Sequence, residues 1–119
     1  MNASKQKGTR WESAIVDYLL QCGVPGAERR ALSGSEDRGD IAGIARVVIE
    51  AKNARTMLLA SWVDEVETER KNANAEIGVI WHHRRGKGSP GDGYVTMTGD
   101  TFMRLLMIAG YIDPPEPKE

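Results

Sequence analysis

The segment Val47-Val48-Ile49-Glu50-Ala51-Lys52 constrains the fold of this chain more than any other stretch. Its three β-branched residues favour a strand. Just before it, Asp40 to Ile44 reads as a partner strand joined by a very short turn. Side chains alternate along a strand, so Glu50 and Lys52 project from one face, roughly 6.5–7 Å apart. Val47, Ile49 and Ala51 take the other face. With the turn centred on Ala45, Asp40 lies opposite Glu50 and shares its face. Two carboxylates and one ammonium then converge.

Opposed like charges destabilise a sheet, so such a pair needs a positive charge between its members. Lys52 supplies one, and a divalent cation would supply two more. Carboxylate, carbonyl and water oxygens suit Mg²⁺ or Mn²⁺ rather than zinc. A plain Glu50–Lys52 ion pair, with Asp40 capping a turn, is the competing reading. It leaves unexplained why a β-branched strand ends in two charged residues on one face.

The flanking sequence supplies the other elements. Thr9-Arg10-Trp11-Glu12 opens a helix whose apolar stripe is Trp11, Ala14, Ile15, Tyr18, Leu19 and Cys22, stopped by Gly23 and Pro25. Glu28 to Leu32 is a weak first strand, and residues 33–39 form a polar loop. A second helix runs from Ser61 to about Asn72, with Trp62, Glu65, Val66, Glu69 and Ala73 along one stripe. Ile77 to His82 is a strand, Arg84 to Asp92 a mobile loop, and Tyr94 to Met97 the returning strand. The last helix carries Phe102, Leu105, Leu106 and Ala109 and stops at Gly110. The order αβββαββα describes a single α/β domain over 1–119, a central mixed sheet flanked by helices. Residues 1–8 make a basic N-terminal arm, and 113–119 a flexible Pro-rich tail.

Composition narrows the function classes. Sixteen Lys and Arg against seventeen Asp and Glu give a net charge of −1, which argues against a general nucleic-acid coat. No apolar run is long enough to span a bilayer, and no signal-peptide core follows Met1. A cytoplasmic domain is therefore expected. Cys22 alone excludes an intramolecular disulfide and a Cys-based zinc cage. His82 and His83 are adjacent on a strand and point to opposite faces, so they cannot chelate one ion. No phosphate-binding or dinucleotide glycine motif is present, and no organic cofactor is expected. The charge is nevertheless uneven. Lys5, Lys7 and Arg10 gather at the first helix, and Arg84, Arg85 and Lys87 in the Gly-rich loop, where they could follow a phosphate backbone or simply be solvated.

Asp40, followed after nine residues by Glu50-Ala51-Lys52, with Glu12 on the preceding helix, resembles the PD-(D/E)XK nuclease superfamily. Lys7-Gly8-Thr9-Arg10-Trp11-Glu12 and Ser33-Gly34-Ser35 are most similar to the small Holliday junction resolvases of archaea and phages. Gly39 stands where the motif name has proline. The resemblance implies a restriction-endonuclease-like core in which Asp40, Glu50 and the carbonyl of Ala51 bind Mg²⁺, with Mn²⁺ able to substitute. Lys52 would orient or deprotonate the attacking water. Glu12 would reach the metal through water, although Thr9-x-x-Glu12 is also a capping box. Ser33 or Ser35 would face a phosphate, and Glu69 or Glu65 would stand beside the metal.

The implied activity is structure-selective endonucleolytic cleavage of branched DNA, above all the four-way junction, in a bacterial or phage-infected cell. Two symmetric incisions suit a homodimer. Its surface would be the last helix, through Met103 and Met107, or the second helix. Another DNA nuclease of the superfamily, or a non-catalytic DNA-binding module of the same fold, is the alternative.

Overall fold

A computed structural model describes residues 3–30 and 39–117. In chain order the elements are α1 (Ala3–Gln21), β1 (Glu28–Arg29), β2 (Ile41–Ala42), β3 (Val47–Lys52), α2 (Leu59–Asn72), β4 (Ile77–His82), a 3₁₀ turn (Pro90–Asp92), β5 (Tyr94–Thr96) and α3 (Gly99–Ile108). The five strands form one sheet in the order β1-β2-β3-β4-β5. Neighbours run antiparallel except β3 and β4, which are parallel. Parallel strands need a long crossover, and α2 provides it.

The alternation along β3 and β4 divides the core in two. Ile49, Ile77 and Val79 pack with Trp11, Ile15 and Leu19 of α1 on one face of the sheet. Val48 and Ile80 pack with Trp62 and Val66 of α2 on the other. A central strand buried on both faces has no room for an exposed polar row. Glu50 and Lys52 therefore project beneath α2. The paired residues Ile41 and Ile49 have the register expected for a turn centred on Ala45.

All three helices stop by one device. In α1, the N–H of Val24 donates to the Leu19 carbonyl and that of Gly23 to Leu20, with Gly23 left-handed at φ +94°. This pattern caps carbonyls that would otherwise lack partners. Asn74 and Gly110 do the same for α2 and α3.

Several sequence expectations change. Helix α1 begins at Ala3, so Thr9 lies inside it and Thr9-x-x-Glu12 is no N-terminal capping box; the expected basic arm is helical from Ala3. Cys22 is exposed rather than part of the core. The segment from Arg84 to Asp92 carries local structure: Arg84 and Lys87 pair across a turn, and Trp81 Nε1 donates to the Pro90 carbonyl at 3.0 Å. In α3 the buried residue is Thr101, whereas Phe102 is 49% exposed. Hydrogen bonds decide that orientation. Arg104 Nε donates to the Glu76 carbonyl at 2.9 Å, and Arg104 also binds the Thr101 hydroxyl at 2.8 Å. These contacts seat α3 at the start of β4, far from its carboxyl end. Residues 113–117 have no secondary structure.

Candidate metal centre

The carboxyl ends of β3 and β4 meet the buried side of α2, the usual place for a site in an α/β sheet. Glu50 is only 3% exposed there. Its Oε1 has no hydrogen-bond partner, and its Oε2 lies 3.9 Å from Lys52 Nζ. Helix α2 delivers Glu65 and Glu69 one turn apart, and Glu69 is as deeply buried as Glu50. One ligand oxygen from each of Glu50, Glu65 and Glu69 lies within 4.8 Å of the others.

Asp40 approaches from the edge of β2. Its Oδ2 accepts the Ala51 N–H at 2.9 Å, and its own N–H donates to the Ile49 carbonyl at 3.0 Å. A residue's N–H and C=O point to the same side of a strand. The Ala51 carbonyl therefore also faces the Asp40 edge, whereas the Lys52 carbonyl faces β4 and accepts from the His83 N–H. Gly39 fixes this approach. Its φ of +94° is closed to proline, whose ring holds φ near about −65°. A Cβ there would stand 2.7 Å from Val48 Cγ1 and 3.1 Å from the Ile49 carbonyl oxygen. Local sterics thus exclude proline at position 39. Gly39→Ala should cost about 2 kcal/mol or more in urea denaturation, through strain at φ > 0 and displacement of Val48. A loss of a few tenths would show that the turn tolerates a side chain.

The electrostatics follow from burial. Desolvation first, then the carboxyls of Glu65, Asp40 and Glu69, drives the Glu50 pKa far above the usual carboxylate range. Glu65 is held low, first by its hydrogen bond with Glu50 and then, against some desolvation, by Lys52. Lys52 Nζ stands 3.4 and 3.5 Å from the two Glu65 oxygens and 6.0 Å from the Trp62 ring centre. The Lys52 ammonium thus meets two carboxyls, Glu50 and Glu65, while Glu69 completes the cluster and Asp40, outside it, adjoins Glu50. Such a set is short of positive charge. Its donors are hard oxygens, and a buried carboxylate oxygen without a partner is what a hard dication satisfies. The residues fit Mg²⁺ or Mn²⁺.

The remaining candidates distribute as follows. Glu12 is not among the clustered acids: it pairs with Arg29 at 3.2 Å from the α1 side. Burial and then Asp40 raise its pKa, with Arg29 opposing, so it lies within the field of Asp40. Ser33 and Ser35 lie outside the described residues. Arg10 and Lys5 are exposed on α1. Lys7, Arg84 and Arg85 line a common groove with Arg55, a residue the sequence pattern did not single out. Lys87 closes the turn through its N–H to the Arg84 carbonyl at 3.0 Å and does not line that groove.

His82 and His83 do point to opposite faces. His82 lies near Trp62 of α2, whereas His83 meets Trp11 of α1 edge-on at 5.0 Å. Buried His82 holds Thr96 Oγ1 at 2.8 Å, and desolvation lowers its pKa. No helix among the described residues is long and apolar enough to cross a membrane. No protein-family model, curated protein or solved structure matches the chain.

Proposed function

We propose that this chain is a Mg²⁺-dependent, structure-selective DNA endonuclease that incises four-way junctions, with Mn²⁺ able to replace Mg²⁺. The observation that carries this reading is the buried, unpartnered Glu50 oxygen in a ring of acids beside a single lysine. Glu50 and Asp40, with the Ala51 carbonyl and the acids of α2, would hold the cation. Uncatalysed phosphodiester hydrolysis is so slow that the barrier must fall by on the order of 20 kcal/mol. A bound dication lowers the pKa of a water and offsets the charge developing on the phosphate.

The protein's own groups supply the positioning. The Ala51 N–H fixes the Asp40 carboxylate, so that it need not reorganise during reaction. Glu65 and the Trp62 ring hold the Lys52 ammonium at the mouth of the acidic ring. From there it can direct a water toward a phosphate and donate to a phosphate oxygen. A general base alone contributes about 10²–10⁴-fold, which leaves most of the rate to electrostatics. Two copies related by a two-fold axis would present two such sites to the two scissile strands of a junction. Phe102 and Met103, exposed on α3, belong to one candidate surface for that pairing.

The test compares labelled four-way junction, flap and linear duplex with the purified protein in millimolar Mg²⁺. Paired symmetric cuts in the junction are expected, with little cutting of the duplex. Preferred cutting of another substrate would replace the junction assignment. An absence of cutting on all three would favour a binding module.

A further inference from the structure

A groove of about 600 Å³ opens directly beyond Lys52. The β3–α2 connection forms one wall and the turn after β4 the other, joined where the His83 N–H donates to the Lys52 carbonyl at 3.0 Å. Lys7, Arg55, Arg84 and Arg85 line it, and among the described residues no acidic one does. Among the described residues, none of these four cations pairs with a carboxylate. A chain with net charge −1 has gathered four cations in one hollow. Such a hollow attracts a polyanion.

The lining is not only cationic. Tyr94 is 49% exposed and Met57 56%. The Arg84 guanidinium lies 5.7 Å from the centre of the Tyr94 ring. The backbone of a duplex asks only for charge and hydrogen-bond donors, because its bases are stacked away from the protein. An aromatic ring backed by a guanidinium, beside an exposed thioether, offers what an unstacked base needs.

We propose that this groove binds an unpaired DNA strand. The strand's phosphates lie along Lys7, Arg55 and Arg85, and one base stacks against the Tyr94–Arg84 pair. This rests on reading DNA as the substrate and refines it: the strand entering the acidic ring is single-stranded on the groove side of Lys52. The productive substrate is then a junction with an opened arm.

The probe is a fluorescent oligothymidylate of about ten nucleotides, within the span a single-strand groove covers. It is compared with a duplex of equal length in EDTA, so that nothing is cut. Tyr94→Ala should weaken single-strand binding by about tenfold, the loss of one stacked base, and duplex binding by less than about twofold. Tyr94→Phe keeps the ring and should bind like the wild type. Arg84→Gln, at an exposed position, should reproduce part of the loss with an unchanged melting temperature. Equal losses on single strand and duplex, or no loss on either, would overturn the groove assignment. So would tighter binding of oligouridylate than of oligothymidylate. Failure of the wild type to cut any DNA in Mg²⁺ would overturn the nuclease reading and leave this binding result standing.

Discussion

Glu50→Gln should abolish Mg²⁺-dependent cleavage, with a loss of at least about 10³-fold, and yet make the metal-free protein more stable at neutral pH. Both effects have one origin. Glu50 is 3% exposed, and burial followed by three neighbouring acids raises its pKa far above the ordinary 4.5. A raised carboxyl pKa means that the folded state holds a proton the unfolded state has released. Stability from this group is therefore complete below the unfolded value and is lost as pH rises above it. With the folded pKa above neutrality, the cost at pH 7 reaches at most about 3 kcal/mol. Gln carries no charge and escapes that cost.

Metal-free wild type should thus lose melting temperature relative to Glu50→Gln between about pH 5 and about pH 8. Glu12, also raised, and His82, lowered, titrate in both proteins and cancel in the difference. Parallel pH profiles would show that Glu50 carries no buried charge cost.

Asp40→Asn and Lys52→Met should each reduce the cleavage rate by about 10²–10⁴-fold while junction affinity in EDTA stays within about threefold. Asn keeps the size of Asp and an oxygen to accept the Ala51 N–H, so only the charge is removed. Lys52→Met leaves Glu65 without its ammonium, and that variant should also melt earlier. Pre-steady-state cleavage and anisotropy measured on the same preparations separate the two effects. Loss of binding in step with loss of rate would make these residues DNA contacts rather than participants in the chemistry.

The acidic ring was largely legible because strand alternation is rigid. Once β3 is a strand, Glu50 and Lys52 must share a face, and a tight turn brings Asp40 back toward them. That turn contains left-handed Arg46 at φ +65°, yet Ile41 still faces Ile49. The stripe of α2 likewise contained Glu65 and Glu69, because helical spacing puts them one turn apart.

Other features were hidden for physical reasons. Residues Lys5, Gln6 and Lys7 propagate a helix as readily as they form an arm, and a Ser/Thr-x-x-Glu pattern inside a helix looks the same as one at its start. Cys22 follows the stripe of α1 but falls where Gly23 turns the chain away. In α3, hydrogen bonds from Arg104 override the apolar stripe and leave Phe102 in solvent. Arg55 has no periodic partner in sequence; only the fold sets it across a groove from Arg84 and Arg85.

A melting curve in millimolar Mn²⁺ at about pH 8, for wild type and Glu50→Gln side by side, addresses the ion itself without any assumption about substrate. A cation at about a hundredfold its dissociation constant contributes about 2.7 kcal/mol to the folded state. The wild type should therefore melt higher by at least about 5 °C, and Glu50→Gln should not respond. An equal shift in both proteins, or none in either, would contradict a dication held by the buried carboxylate of Glu50.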